Sequence, residues 1–241
     1  MSILIILSCY ITDFYNWVIL SKTSKNILSY DKKLKYKTDA VKIYNNEKFN
    51  IFVFNPDKIS FGVSQGKPSD VNFYMNSNFF NKTSIGLVVV DGKIKTNKVN
   101  GGGYFFVKNG TPNISVNSCP GNVEYASQSI LWGINNGSPN NRLTKLCHAK
   151  IKTYRNMIGK NKYGNIIIVV SNNNGFVTIK EVINQGLELG IVNGVLFDGG
   201  SSVDYKYCDN QYKKEFKSLS GLLKILGNID EPKTYIYGKL N

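Results

Sequence analysis

Residues 192–202 read Val-Asn-Gly-Val-Leu-Phe-Asp-Gly-Gly-Ser-Ser, an apolar run that ends in an acid, two glycines and two serines. The run 192–197 predicts a buried strand, and the glycines predict a sharp turn directly after it. Backbone N–H groups and serine hydroxyls in such a turn can bind an anion, and Asp198 would face the same pocket. In the alternative interpretation, Asp198 only caps backbone groups of a tight turn.

The sequence around this stretch predicts helices and a central strand. Thr178 and Glu181 have the spacing of a capping box, apolar residues follow at helical spacing, and Gly190 stands where a helix ends. A second helix is predicted over 215–226, with Gly227 after it. The continuous apolar run 165–171 predicts a fully buried strand.

Turn signals indicate β-hairpins elsewhere in the chain. Asp91-Gly92 and Asn109-Gly110 each separate two strand-like runs, and residues 49–54 alternate with aromatic side chains. We therefore expect an α+β fold, a single domain with a mixed β-sheet core and a few flanking helices. Residues 1–48 are expected to form an N-terminal strand and lysine-rich entry segment packed on the domain 49–241. Its lysines fit either an irregular segment or paired edge strands.

The charge of the chain is strongly positive, but its composition argues against a nucleic-acid partner. Lys and Arg number 30 against 16 Asp and Glu, giving a formal net charge of +14, yet the only arginines are Arg142 and Arg155. Nucleic-acid readers favour arginine for bidentate contacts. A chain that otherwise avoids arginine is expected to keep one where its planar fork is needed, so both positions are of interest.

Histidine and cysteine usage excludes several classes of site. The single histidine, His148, rules out mechanisms that need two, and we interpret it as a structural residue in a predicted strand 146–153. The four cysteines show no C-x-x-C spacing, which excludes zinc ribbons and thioredoxin-type motifs. They allow two disulfides in three pairings, or four buried thiols, and the sequence does not choose.

The N-terminal segment 1–20 is apolar but is interrupted by Asp13 and Asn16. A transmembrane helix needs about 20 mostly apolar residues, so we expect none here. A buried strand or short helix is favoured over a cleaved signal or anchor. The compartment stays open, with an extracellular, cell-surface or virion location favoured over the cytoplasm.

The stretch 175–202 resembles the end of the phosphodiester glycosidase family, whose pattern is roughly G-L-T-L, L-G and N-A-L-N-L-D-G-G-G-S-S. Other pieces occur in family order between residues 72 and 205. The family's I-N-G-G-F-F, G-L-V-I-x-x-G-K, Q-S-G-P-x-L with N-G, and R-T-A-I-G are similar to Met75–Phe80, Gly86–Lys93, Gln128-Ser129 with Asn136-Gly137, and Arg155–Gly159. This chain departs from the pattern at Ser77 and Asn78, which replace both glycines, at Asn156, and in a glycine run that is one residue short.

The resemblance implies hydrolysis of a sugar-1-phosphodiester at the glycosidic C–O bond, with an N-acetylglucosamine-type sugar. Its transition state is oxocarbenium-like and needs a carboxylate, while the phosphate needs donors. Asp198 is the expected carboxylate, Arg155 the phosphate clamp, and Asn76 a third catalytic residue. Sugar or phosphate contacts are expected from Asn78, Gln128, Ser129, Gly199, Gly200, Ser201, Ser202 and Glu124. Glu124 or Asp204 would be a second carboxylate. No cofactor is expected, and a hard cation between Asp198 and Asp204 is the lesser alternative.

A catalytically diverged member of the family is the alternative to an enzyme. Such a protein could bind glycan or serve as a structural component of a virus or phage particle, such as a tail, or of a cell surface.

A nucleotide-binding function is not expected. Residues 62–67, Gly-Val-Ser-Gln-Gly-Lys, resemble a phosphate loop only superficially, because three residues rather than four separate the glycines and Pro68 follows. The expected partner is therefore a carbohydrate or phosphodiester-linked glycan.

Overall fold

A computed structural model describes residues 32–81, 83–218 and 234–241. Its α-helices are α1, Asn141–Lys145, and α2, Ile179–Glu188, and short 3-10 turns lie at Cys147–Lys150 and Gly200–Ser202. The strands β1 to β20 are, in chain order, Lys33–Lys37, Val41–Asn45, Phe49–Phe54, Ile59–Gln65, Phe73–Ser77, Phe79–Asn81, Thr83–Ile85, Val88–Val90, Lys93–Thr96, Gly103–Lys108, Thr111–Ser115, Tyr125–Ser129, Leu131–Asn135, Ser138–Pro139, Asn156–Asn161, Ile166–Ser171, Ile191–Leu196, Asp204–Cys208, Lys213–Lys217 and Thr234–Leu240.

The strands form three large antiparallel sheets and one small one. The largest has the order β1-β2-β3-β16-β15-β17-β13-β14, and two five-stranded sheets have the orders β11-β10-β12-β8-β9 and β19-β18-β5-β20-β4; β6 pairs with β7. Strands take up 51% of the residues that the structure describes, and helices, with the 3-10 turns included, take up 11%. The predicted α+β class with a mixed sheet and flanking helices is therefore wrong, and the protein is mostly β.

The error in fold class has an identifiable cause in β16. An apolar run with no polar alternation is typical of a strand covered on both faces, as in parallel sheets. Here Ile166, Ile168 and Val170 belong to the core shared with the five-stranded sheets. Ile167 and Val169 face the opposite side, in the core that contains the apolar residues of α2. An antiparallel strand is thus buried twice because a helix covers one face and other sheets cover the second.

Helix α2 and its boundaries agree with the prediction. The Thr178 hydroxyl accepts a hydrogen bond from the Glu181 N–H at 3.2 Å, and the Glu181 carboxylate accepts one from the Thr178 N–H. Gly190, at a φ of 74°, follows the helix end. Because the apolar face of α2 packs on the large sheet, the helix fixes the strands that lead to the glycine turn.

The predicted second helix, 215–226, is wrong at its start. Residues 213–217 form β19, which pairs antiparallel with β18. Phe216 is buried, and its two neighbours, Glu215 and Lys217, are exposed. This alternation of exposed and buried side chains has the period of a strand. Residues 219–233 lie outside the described residues, so the rest of that prediction stays open.

Both predicted hairpins are present. Asp91-Gly92 and Asn109-Gly110 have positive φ at both residues, which is the geometry of a type I′ turn. β8 pairs with β9, and β10 pairs with β11. The glycine of each pair is needed because left-handed backbone at consecutive positions is costly for other residues.

The lysine-rich entry segment supplies the edge of the largest sheet. β1 is its outermost strand, and four of its five residues are exposed. β2 pairs with both β1 and β3, so paired edge strands describe residues 33–45. Residues 1–31, including the apolar segment 1–20, lie outside the described residues, and the domain boundary at residue 48 stays a prediction.

The described structure also includes His148 and three of the four cysteines. His148 lies in the 3-10 turn Cys147–Lys150, so the predicted strand 146–153 is wrong. Cys119, Cys147 and Cys208 are free thiols, and Cys147 is exposed. Within the described ranges, we find no helix with the length and apolar composition of a membrane span.

Candidate functional site

The glycine turn and Arg155 are brought together by two adjacent strands. β15 and β17 are antiparallel neighbours in which Met157 pairs with Leu196. Two residues beyond this pair, in opposite directions along the chain, lie Arg155 and Asp198. The Gly200 N–H donates to the carbonyl of Tyr154 at 2.8 Å, which holds the turn against the chain just before Arg155.

Asp198 is a carboxylate in a partly dehydrated position. Burial raises its pKa above that of an ordinary aspartate, while hydrogen bonds from the Ser202 hydroxyl and the Gly199 N–H, together with the charge of Arg155, act in the opposite direction. Burial is the largest of these effects. A carboxylate of this kind is a stronger base than one in water.

Arg155 carries an incompletely paired guanidinium. Its Nη2 donates to the carbonyls of Ile151 at 3.0 Å and His148 at 3.3 Å, whereas its buried Nε has no hydrogen-bond partner within the described chain. Burial lowers its pKa to about 10, and Asp198 opposes that shift. The group therefore stays positively charged at neutral pH, beside an acid with which it makes no salt bridge in the described structure.

A network of buried amides fixes the base of the turn. Asn76 donates from Nδ2 to the Asp198 carbonyl at 2.8 Å, and its Oδ1 accepts from the Asp204 N–H at 3.2 Å. Asn156 donates to both Asn76 Oδ1 and the Asp198 carbonyl, each at 3.0 Å, and accepts from the Phe197 N–H. Both amides are 1% exposed. In this conformation Asn76 holds the two ends of the turn and does not reach the surface.

Three of the predicted substrate contacts are also buried and already bonded. Gln128 binds the Leu87 and Val99 N–H groups and the Val99 and Gly101 carbonyls. The Ser129 hydroxyl bonds the Leu131 and Leu196 carbonyls. Asn78 bonds the Ser127 hydroxyl and the Ile85 carbonyl. The geometry gives these side chains a positioning role.

Asn78 also explains one departure from the family pattern. Its φ is 54°, in the left-handed region. Asparagine is among the few residues that tolerate that region. It can therefore stand where the pattern has glycine without changing the backbone.

The remaining predicted contacts divide between the turn and a distant position. Gly199, Gly200, Ser201 and Ser202 form the turn itself, where the Gly199 N–H binds the Asp198 carboxylate and the Gly200 N–H binds Tyr154. Glu124 precedes β12, at the opposite end of the strand from Ser129. Its carboxylate accepts a hydrogen bond from the Asn109 N–H, which lies in a hairpin turn. The structure does not bring Glu124 to Asp198.

Asp204, the other candidate for a second carboxylate, is 4% exposed and paired with a lysine. Lys67 Nζ lies 3.0 Å and 3.3 Å from the two carboxylate oxygens, and Tyr235 donates a further bond at 3.3 Å. Lys67 also sits over the ring of Tyr74, 4.6 Å from its centroid. Within the described chain, no three His, Cys, Asp or Glu side chains are grouped to hold a metal.

A cleft of about 620 Å³ opens beside the turn, although neither Asp198 nor Arg155 lines it. Its lining residues are Lys67, Tyr74, Tyr154, Asn173, Asp204, Tyr205, Glu215, Phe216 and Lys217. Tyr154 directly precedes Arg155, and Asp204 follows the turn by two residues. Tyr154 and Asp204 therefore connect the lining of the cleft along the chain to Arg155 and to the turn that carries Asp198.

Sequence reasoning missed three residues of this region. Asn156 follows Arg155 and stands where the family pattern has a threonine, and this difference was the available signal in the sequence. Lys67 belongs to the rejected phosphate-loop pattern, and only the fold brings it to Asp204. Tyr154 carries the carbonyl that binds Gly200, and a backbone group of this kind leaves no signal in the sequence.

Gly199 provides a test of how tightly the turn is packed. A Cβ atom at this position would lie 2.7 Å from the Tyr154 carbonyl oxygen and 3.4 Å from Arg155 Cδ. Gly199→Ala should therefore push Asp198 away from Arg155 and lower the free energy of unfolding by about 1–3 kcal/mol. Chemical denaturation measures this loss. Gly121→Ala is the control, because no atom lies within 4 Å of its added Cβ; equal stability of the two variants would contradict the close packing.

A family model described as phosphodiester glycosidase matches residues 69–221. A Synechocystis structure described as a hypothetical protein superposes with a TM-score of 0.65 at 12% identity, over 88% of this chain and 64% of that one, so the chain spans less than two thirds of it. The catalytic domain of zebrafish N-acetylglucosamine-1-phosphodiester alpha-N-acetylglucosaminidase, auto-inhibited by its pro-peptide, superposes at 0.59 with 14% identity, over 91% and 85%. No curated protein sequence matches the chain.

Proposed function

The chain belongs to the phosphodiester glycosidase family, and from this premise we propose that it hydrolyses a sugar-1-phosphodiester at the bond between the anomeric carbon and the phosphate oxygen. The proposed sugar is of the N-acetylglucosamine type, the sugar in the name of the zebrafish enzyme with the same fold. The supporting observation is the single turn that holds Asp198 beside Arg155.

In the proposed reaction the anomeric C–O bond breaks and its electron pair leaves with the phosphate, producing a phosphomonoester. Positive charge develops on the sugar ring, and the carboxylate of Asp198 stabilises it. Water then adds to the anomeric carbon and gives its proton to Asp198, which returns it to solvent. The Ser202 hydroxyl and the Gly199 N–H orient this carboxylate.

Arg155 is the proposed phosphate partner. Its Nη2 is anchored on two backbone carbonyls, so the planar group is fixed before substrate arrives. A fixed, permanently charged guanidinium stabilises the additional negative charge that appears on the leaving phosphate. Because the leaving group is a weak base, the mechanism does not require a general acid. Asp204, which is paired with Lys67, is therefore given no role as a proton donor.

Turnover by the purified chain tests the proposal. An aryl or nucleotide diester of N-acetylglucosamine 1-phosphate should release N-acetylglucosamine and the phosphomonoester. This release should be lost in Asp198→Asn and reduced in Arg155→Lys, which keeps the charge but not the planar fork. Binding of the diester without any release of sugar would refute hydrolysis and favour the alternative of a diverged glycan-binding protein.

The pH dependence of kcat/KM tests the pairing of Asp198 with Arg155. Burial has raised the pKa of Asp198 and Arg155 opposes that rise, so loss of the positive charge should raise this pKa further. The base is active only when ionised, and the acid limb of the profile should therefore move to higher pH in Arg155→Gln and less in Arg155→Lys. An unmoved limb in Arg155→Gln would show that the two groups are not electrostatically coupled.

A further inference from the structure

We infer that the cleft beside the glycine turn is the binding site for a neutral carbohydrate ring of the substrate, an inference that rests on the proposed function. Its volume of about 620 Å³ lies within the range of small-molecule sites, which is about 300–1,000 Å³. This space accommodates a pyranose ring with a substituent.

The charged groups of the cleft favour a neutral, hydroxyl-rich ligand. Among its described lining residues, Lys67 and Lys217 are balanced by Asp204 and Glu215, and Asn173 adds an amide. Because these charges balance, the site has no net electrostatic attraction for a phosphate, yet it offers both hydrogen-bond donors and acceptors. Sugar hydroxyls, which donate and accept, match that combination.

The Lys67–Asp204 pair is preorganised for such hydroxyls. Asp204 is held by Lys67 and by Tyr235, and Lys67 also rests on the ring of Tyr74. The Lys67 side chain is nevertheless 45% exposed, so its ammonium can meet a ligand without leaving Asp204. A fixed polar pair binds a ligand without first paying the entropy of ordering its own side chains.

Several residues that line the cleft are aromatic and pack on other rings. Phe216 packs on Tyr154 and Tyr205 at centroid distances of 4.9 Å and 5.6 Å, and Tyr74 packs on Tyr235 at 5.7 Å. Aromatic side chains of this kind provide apolar surface for the C–H groups of a sugar ring, while the polar lining residues can bind its hydroxyls. The lining also includes Tyr154, whose carbonyl binds Gly200, so a ring bound there lies next to the turn.

A double variant, Asn173→Ala with Glu215→Gln, tests the inference. Both side chains line the cleft and are exposed, so the fold should tolerate their loss. The matched control is Asn174→Ala with Glu188→Gln, which changes an exposed neighbour of Asn173 and an exposed acid on α2. The probe for direct binding is the methyl α-glycoside of N-acetylglucosamine, observed by ligand-detected NMR. The cleft variant should weaken its binding about tenfold, as the loss of one or two hydrogen bonds does. The control should bind it as the unaltered protein does.

Kinetics with two diesters identify which ring occupies the cleft. In one diester the alcohol is methanol, and in the other it is a hexoside. A cleft variant with a KM raised about tenfold for both, and kcat within about twofold, places the released sugar there. A KM raised only for the hexoside diester, with the methyl glycoside unbound by every form, places the alcohol's sugar there instead.

Failure of the inference differs from failure of the proposed function. An unchanged KM for both diesters in the cleft variant, together with unchanged or absent binding of the methyl glycoside, would overturn the carbohydrate assignment even if turnover is seen. Sugar binding that depends on the cleft, without turnover of any diester, would instead overturn hydrolysis and leave the cleft as a glycan site.

Discussion

Asp198→Asn should lower kcat by about 10²–10⁴-fold, the usual contribution of a positioned acid or base, while leaving the fold at least as stable as before. The amide has nearly the same shape and can still accept a hydrogen bond from Ser202 or Gly199, but it cannot take a proton or balance a positive sugar ring. Release of sugar from the aryl diester measures the loss of activity.

The stability of this variant follows from the direction of the pKa shift. Burial raises the folded-state pKa of Asp198, so the contribution of this residue to stability is fully present below the unfolded pKa and is lost as pH rises through the folded value. Asparagine removes that loss. The variant should therefore unfold at an equal or higher temperature than the unaltered protein at neutral pH, and the difference should vanish in acid.

The two measurements together separate a catalytic from a structural Asp198. Residues kept for catalysis commonly cost stability, so low activity with undiminished stability supports the catalytic role. A fall of several degrees in Tm with activity retained would mean that Asp198 serves as a cap of the turn, the alternative that its sequence context left open.

Asn76→Ala should destabilise the protein by about 3 kcal/mol, since it removes three hydrogen bonds and leaves the Asp204 N–H without its partner in a buried position. For a chain of this size that corresponds to a fall in Tm of about 6–12 °C. Denaturant unfolding measures the free energy. Ser77→Ala is the matched control, because its side chain is adjacent, equally buried at 1%, and its hydroxyl has no partner among the described atoms. It should be neutral or slightly stabilising.

A positioning role for Asn76 makes a further prediction that stability alone does not. At a temperature where Asn76→Ala is fully folded, kcat should fall more than KM rises, because the turn no longer holds Asp198 in one place. The acid limb of kcat/KM should also move to higher pH as the acid drifts from Arg155. A folded variant with unaltered kcat and pH profile would show that the amide network serves stability only.

Local structure was largely predictable because its causes are local. The capping box at Thr178 and Glu181, and the hairpins at Asp91-Gly92 and Asn109-Gly110, are specified by residues a few positions apart. The fold class was mispredicted because the burial of a strand such as β16 depends on what covers its second face. The segment 213–217 was misassigned because Phe216 fits a helical and a strand pattern equally well when read alone.

The sequence alone identified the turn after β17, the two arginines worth following and the likeness to the phosphodiester glycosidase family, since each is a matter of residue type and short spacing. The tertiary structure determined the rest. Strand pairing put Arg155 opposite Asp198, buried Asn76 and Gln128 as supports, moved Glu124 to a remote hairpin, and set Lys67 on Asp204. These outcomes depend on contacts between residues as many as 137 positions apart. No short pattern in a sequence encodes which distant side chains come into contact.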